Sequence, residues 1–508
     1  MQSSKPMSLP LTGRAENTAT RWLLPLCVGA GAYLICFFNG DMLLRDSDSF
    51  WQIKVGQWII AHRAMPYSDI YSLLHQGESW ISNAWLSQVL YAASYDQFGW
   101  TGPVVLASVA IGMAIAILVF LLDEHFEPAH SVLLAMLALV LSFNHLLARP
   151  HVLALPAMVA WIGVLMSAAD RRTSPSLFWL PLMTLWASLH GSFALGLVMI
   201  APIALEAVWA AAPPQRVALA ARWILFAVGA LIACCFTPYG WDTLIAASRI
   251  LSLGQLLSII SEWMPQNFGS FTPFEASLLG LLALGYYRGV VLSIPRILLL
   301  LLLVFMALTH VRNIEAYAFV IPLVLAKPFA TRKQSADPIS RWAGAFWSLP
   351  YVSGLTMLVI AGCVSASTLT YADHHPFVFT KRQLPVAALD LLQKRGIRRI
   401  FNAYAFGGYM IARDMPPFID GRAELYGEKL VVTYFNAIEG RRMDDLLKML
   451  DEYHMEATLL TADSPAALLM DHAPGWTRLY ADDVSVIHVR TNPSAQQPTP
   501  AASGVLNN

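Results

Sequence analysis

Two aspartates, Asp46 and Asp48, stand two residues apart just beyond the first apolar run, and in an extended loop both carboxylates face one space. Such a pair suits a general base that takes a proton from an attacking hydroxyl. Mutual repulsion raises the pKa of one member or recruits a divalent cation. The competing reading is an acidic N-cap for a helix beginning near Phe50, a role Ser49 also fits. Later apolar runs end in Arg149-Pro150-His151, His190-Gly191 and His310-Val311-Arg312-Asn313. A guanidinium grips phosphate through two parallel hydrogen bonds and keeps its charge. Arg149, His190, His310 and Arg312 therefore form a candidate phosphate-binding set, although a lone arginine at a span end also snorkels to headgroups. His151 reads as structural. Glu262, in the long segment 238–272, is a second acid, a metal ligand or a solvated loop carboxylate, and Asp69 and Glu78 read as ordinary loop charges.

These groups need a scaffold, and composition says what kind. Of 508 residues, 13% are charged and 56% hydrophobic, against about a quarter charged in soluble domains, so apolar surface must face lipid. A formal net charge of zero argues against a nucleic-acid partner. The five cysteines lie in or at the ends of apolar runs and read as small hydrophobes. Stretches of roughly membrane-spanning length fall at 22–39, 100–122, 129–147, 151–169, 175–189, 192–211, 222–237, 273–287, 292–309, 313–330 and 344–367, giving about 11 transmembrane helices, with 250–260 as a re-entrant or interfacial helix. The first run follows Arg14 and Arg21 and lacks a small-x-small cleavage site, which favours a retained anchor over a signal peptide.

With the N-terminus inside, alternate loops carry Arg171 and Arg172, then Arg216 and Arg222, then Arg288 and Arg296, then Lys327, Arg332, Lys333 and Arg341. This is the positive-inside bias, from which the Asp123, Glu124 and Glu127 loop departs. The candidate groups then all emerge on the other face. Polar residues at span ends are costly unless they act, and their gathering on one side is the main sign of a site. The first outer loop, 41–99, holds two Trp-bearing amphipathic segments, 50–62 and 84–95, read as helices lying on the membrane surface.

From about Tyr371 the composition becomes that of a soluble protein. Leu384-Pro385 opens an amphipathic helix ending at Gly396. Strands are expected at Arg399–Asn402, Pro417–Asp420, Ala457–Thr461 and Val484–Val489, with helices at 405–412, 428–438, 442–453 and 464–471, making a partly parallel sheet. Asp420-Gly421-Arg422 follows a strand end, where such sheets often bind ligands; pairing of Asp420 with Arg422 is the plainer reading. The expected fold is an α-helical polytopic membrane protein with a C-terminal soluble α/β domain. Its parts are a cytoplasmic tail 1–21, a membrane domain 22–370, an extracytoplasmic domain 371–490 and a disordered tail 491–508.

Asp46-Ser-Asp-Ser-Phe-Trp-Gln-Ile-Lys-Val-Gly56, Ala148-Arg-Pro-His151, Leu189-His-Gly191, His310-Val-Arg-Asn313 and Phe418-Ile-Asp-Gly-Arg422 occur in this order along the chain. Together they resemble the GT-C glycosyltransferases, multi-span enzymes that take sugars from polyprenyl-phosphate carriers, and more narrowly a bacterial subgroup of GT-C-like membrane proteins. The resemblance implies a plasma (inner) membrane enzyme, a polyprenyl-phosphate-linked sugar donor, and a glycan, lipid or protein acceptor on the outer face. It casts Asp46 as base and Asp48 as the group orienting acceptor or metal. A divalent cation, Mg or Mn, on Asp46, Asp48 and Glu262 is left open by the carboxylates themselves. A lipid-linked glycan polymerase or ligase of this fold is the alternative enzyme, and a transporter or scaffold the non-enzymatic one.

Overall fold

The structure, a computed structural model, describes residues 18–251, 254, 261–330, 350–379, 384–440 and 443–491. The expectations for Arg14, for most of 250–260, for Arg332, Lys333 and Arg341, for the start of the last span and for the tail beyond Thr491 fall outside the described residues.

Each segment expected to span carries a helix: α1 (Thr18–Phe38), α4 (Thr101–Leu122), α5 (Pro128–Ser142), α6 (Pro150–Asp170), α7 (Leu180–Leu189), α8 (Phe193–Ala210), α9 (Arg216–Ala233), α11 (Pro273–Arg288), α12 (Ile294–Thr309), α13 (Ile314–Leu325) and α14 (Pro350–His374). The surface helices α2 (Asp48–His62) and α3 (Trp85–Phe98) precede α4, and α10 (Asp242–Leu251) follows α9. Among the described residues seven helices are long and apolar enough to cross a bilayer by length and composition, and the chain is membrane-embedded. Exposed aromatics sit near helix ends, with Phe178, Trp179, Tyr286 and Tyr287 on some and Phe236, Trp241, Phe268 and Phe271 on others, as interfacial anchors do. α6 is the central element, with buried side chains along its whole length.

Ion pairs mark one end of the bundle. Arg296 reaches Asp170 at 2.8 Å and Glu206 at 2.6 Å, and Lys327 lies 3.7 Å from Asp170. Arg21 pairs with Glu124 at 2.8 Å, which supplies the basic partner that the acidic loop lacks in its own sequence. The segments holding the candidate site residues lie at the opposite ends of these helices.

α2 and α3 pack face to face rather than resting singly on a lipid surface. Gln88 Nε2 donates to Gln52 Oε1 (2.7 Å), Ser82 Oγ donates to Gln88 Oε1 (2.7 Å), and Trp51 and Trp80 are buried together. The Trp51 face thus packs under the soluble domain, against Ile411, instead of anchoring in lipid.

The soluble domain contains α15 (Val386–Lys394), β1 (Ile400–Asn402), α16 (Gly407–Ala412), α17 (Ala423–Ile438), α18 (Met443–Glu452), β2 (Ala457–Thr461), α19 (Pro465–Met470), β3 (Trp476–Ala481) and β4 (Ser485–Arg490). Its sheet runs β1-β2-β4-β3, with β1 and β2 parallel and the remaining pairs antiparallel. The expected strand at Pro417–Asp420 is irregular backbone. The Asn402 side chain takes its hydrogen bonds, accepting from Phe418 N (2.7 Å) and donating to Ile419 O (2.8 Å), so no ladder forms. β3 was not expected, because its outward face is largely exposed and shows no apolar alternation.

At Gly56 a Cβ would overlap the Gln88 carbonyl and the Ala92 methyl. Overpacking of this kind costs about 1–3 kcal/mol. Gly56→Val should lower the thermal unfolding midpoint in detergent by several degrees, whereas Gly31→Ala, which meets open space, should leave it unchanged.

Candidate functional site

The loop before α2 is zipped to the start of α6. Ala148 N donates to Leu43 O (2.8 Å) and Ser49 Oγ donates to Ala148 O (3.0 Å), so Asp46 and Asp48 are held beside Arg149. Arg149 is the N-cap of α6 in extended backbone, with Pro150 at the first helical position, and its carbonyl accepts from Tyr91 OH (3.1 Å). Its side chain gathers three carboxylates. Nη1 lies 2.5 Å from Asp46 Oδ2 and 2.5 Å from Glu262 Oε1, and Nη2 lies 3.0 Å from Asp48 Oδ2. Glu262 is thus no solvated loop acid, and the pairing with Arg149 holds its carboxyl down to about 2.

The two aspartates differ in what remains to them. Asp46 Oδ1 accepts from Asp48 N (2.9 Å), so Asp46 both caps α2 and binds Arg149. Asp48 has its second oxygen turned toward Gly421 of the soluble domain. Burial first, then the Asp46 charge, pushes Asp48 up to about 7, against the pull of Arg149.

The phosphate candidates separate in the same way. Arg312 lies flat on Trp263, 4.2 Å from its ring, and has no ion pair among the described residues. His310 donates Nδ1–H to Trp263 O (2.6 Å), and Val311 N donates to Met264 O (3.0 Å), so this segment braces the one carrying Glu262. His190 Nδ1 accepts from Ser192 N (3.2 Å), and burial, followed by the charges of His151 and Arg312, keeps the ring neutral. His151 Nε2 donates to His145 O (2.8 Å), the structural role expected for it.

Asp46, Asp48, Arg149, His151, His190, Glu262, His310 and Arg312 all line one cavity of about 1720 Å³. Sequence reasoning missed further lining groups, among them Arg45, Glu315, Tyr404 and Glu424. Arg45 adjoins the acidic pair and Glu315 follows the His310–Asn313 motif by two residues, so both were within reach, whereas Tyr404 and Glu424 come from segments that only folding brings near. Below the charged mouth the cavity continues as an apolar slot between Leu155 and Met158 of α6, Leu195 and Val198 of α8, and Leu302, Phe305 and Met306 of α12. Leu302 lies eight residues from His310 along α12, roughly 12 Å at helical rise. Val198 and Phe305 are 56% and 63% exposed, so the slot reaches lipid-facing surface.

Asp420 and Arg422 are fully buried and do pair. The guanidinium meets Asp420 at 2.7 Å and Asp69 of the 41–99 loop at 2.5 Å, over the rings of Trp80 and Tyr71. Asp69, read as an ordinary loop charge, is wholly buried, and Arg422 acts on it with Ser72 to keep its carboxyl below the usual range despite burial. Gly421 between them lies so close to the Asp48 carboxylate that a Cβ there would collide with it. Asp420-Gly421-Arg422 therefore locks the soluble domain over the site and closes the wall beside Asp48.

A divalent cation does not fit the acid cluster as it stands. The point where Asp46, Asp48 and Glu262 converge is filled by the Arg149 guanidinium. Magnesium keeps several waters of its own, and Gly421 closes the adjoining space.

No family model and no curated protein matches the chain. Among solved structures, the archaeal oligosaccharyltransferase AglB from Archaeoglobus fulgidus, in complex with an inhibitory peptide and a dolichol-phosphate, is similar over 95% of this chain and 75% of its own, at 10% identity and a TM-score of 0.48. ArnT from Cupriavidus metallidurans, bound to undecaprenyl phosphate, is similar over 93% of this chain and 99% of its own, at 12% identity and a TM-score of 0.32. Both are GT-C-type membrane glycosyltransferases, the kind the sequence motifs resemble. The overlap is loose, and no residue correspondence follows from it.

Removing one partner of a buried ion pair costs about 3–5 kcal/mol. Arg422→Met strands Asp69 and Asp420 and should release the soluble domain. Limited proteolysis of the purified chain should then cut between the two parts at protease levels that leave the native protein whole.

Proposed function

We propose that the chain is a membrane glycosyltransferase that moves a sugar from a polyprenyl-phosphate donor to an acceptor on the extracytoplasmic face of the plasma membrane. The observation that carries this reading is the shape of the cavity. An apolar slot open to lipid leads up to a charged mouth holding a carboxylate with a raised pKa and an arginine that has no ion pair among the described residues. A donor kept in the membrane by its lipid needs that combination.

In this reading the tail lies between α6, α8 and α12, and the phosphate meets Arg312, with Arg45 and the neutral His190 as further donors. Asp48 takes the proton from the acceptor hydroxyl as that oxygen attacks the anomeric carbon. The bond from that carbon to the phosphate oxygen breaks, the phosphate leaves with the electron pair, and configuration inverts. Arg312 and Arg45 offset the charge that builds on the leaving group, the usual electrostatic contribution in such sites. Asp46 and Glu262 orient Arg149, which fixes Asp48. A base near pKa 7 is well matched to work at neutral pH. The clustering of acids argues for a transferase with a base over a polymerase or ligase that needs none. The acceptor enters from the soluble-domain side, past Tyr404 and Glu424.

Sidedness follows from charge. Arg171, Arg172, Arg216, Arg288, Arg296 and Lys327 lie at helix ends away from the cavity, and basic residues favour the cytoplasm. The N-terminus is then cytoplasmic and the soluble domain outside.

A deletion strain should lose one envelope sugar, and the wild-type gene should restore it. Asp48→Asn should fail to restore it while reaching the membrane at normal levels; restoration by Asp48→Asn would refute the assignment. Because the base acts ionised, transfer should rise with pH through about 7. Arg312→Ala should raise the donor KM about 10- to 100-fold, the size expected for lost charged hydrogen bonds.

A further inference from the structure

Three carboxylates, from the loop before α2, the first residue of α2 and the segment before α11, converge on one point, and that point is filled from within. Asp46 Oδ2 and Glu262 Oε1 each sit 2.5 Å from the same Arg149 nitrogen, and Asp48 Oδ2 sits 3.0 Å from the other. Asp46 and Glu262 thus share one nitrogen of the guanidinium, and Asp48 takes the other. Arg149 cannot swing freely into this place or out of it. It stands at the N-cap of α6 before Pro150, its carbonyl is held by Tyr91, and the residue before it is tied to Leu43 and Ser49. The positive end of α6 adds to the guanidinium charge at the same point.

We propose that the Arg149 guanidinium is the resident cation of this site, standing where a divalent metal would otherwise be bound, and that withdrawing it converts Asp46, Asp48 and Glu262 into a divalent-cation site. The inference takes the cluster as the acid centre named above, but metal occupancy is read without any sugar transfer. Three carboxylates round one guanidinium leave a net deficit of positive charge. A guanidinium is already weakly hydrated and binds carboxylates in a fixed fork. The site then works at any metal concentration, because its cation is covalently part of the chain. Loss of that cation leaves three carboxylates too close to stay ionised together unless they protonate or bind an ion.

The test is Mn2+ binding to the purified full-length chain, stripped with a chelator and followed by the loss of the free-ion EPR signal. Wild type and Arg149→Lys should take up no Mn2+ at this site at 1 equivalent and tens of micromolar (about that range for carboxylate sensors). Arg149→Met should gain about one bound Mn2+ per chain, together with a metal-dependent rise in thermal midpoint. The double variant Arg149→Met, Glu262→Gln should lose both. Where Arg149→Met does not fold, Arg149→Gln, which keeps a hydrogen-bonding side chain, takes its place. Stoichiometric Mn2+ binding by wild type that Glu262→Gln abolishes would overturn the proposal, and so would a folded Arg149→Met or Arg149→Gln chain that binds none. Neither result would bear on whether the chain transfers a sugar.

Discussion

The site is organised by one guanidinium. Arg149 is reached by acids from the loop before α2 and from the segment before α11, and its backbone belongs to α6, the most buried helix of the bundle. A charge buried among apolar helices is tolerated only when it is paired and hydrogen-bonded. This requirement draws separate outer segments to a single point. Without Arg149, Asp46, Asp48 and Glu262 would repel one another, and the mouth of the cavity would open. Burial, with the surplus negative charge added to it, has a consequence for chemistry, since together they leave Asp48 with the raised pKa that a base needs.

A second buried guanidinium does for the two domains what the first does for the loops. Arg422 bridges Asp420 of the soluble domain to Asp69 of the 41–99 loop with no solvent contact. The soluble domain thereby becomes a wall of the cavity instead of an appendage, contributing Tyr404, Gly421 and Glu424. Buried pairs of this kind are weak evidence for stability but hold a geometry once formed, and here the geometry held is that of Gly421 against Asp48.

Much of this was legible in the residues. Apolar run lengths located the helices, because a bilayer core dictates how many residues a helix needs. Asp46, Asp48, Arg149 and Arg312 stood out because charges at span ends are rarely idle. Their division of labour was not legible. Glu262 is 113 positions from Arg149, and Asp69 is 353 from Arg422, and no local pattern announces pairs so distant. Asp46 and Asp48 look alike in sequence, and only the partners of their second oxygens separate capping from availability. The strand expected at Pro417–Asp420 failed because one side chain, Asn402, competed with the sheet for its backbone. β3 escaped notice because an edge strand facing solvent carries no apolar stripe.

The proposed chemistry requires a single acid-and-arginine mouth opening on the outer face of the membrane. Its most direct test is labelling with a membrane-impermeant maleimide in intact cells, using single cysteines placed in a chain whose five native cysteines are replaced. Glu78→Cys, Phe268→Cys and Asp483→Cys, exposed in the first outer loop, the segment after Glu262 and the soluble domain, should all be labelled, and Arg172→Cys only after permeabilisation. Labelling of the first three only after permeabilisation would put the mouth in the cytoplasm, and labelling of Glu78→Cys and Phe268→Cys from opposite sides would leave no shared site at all.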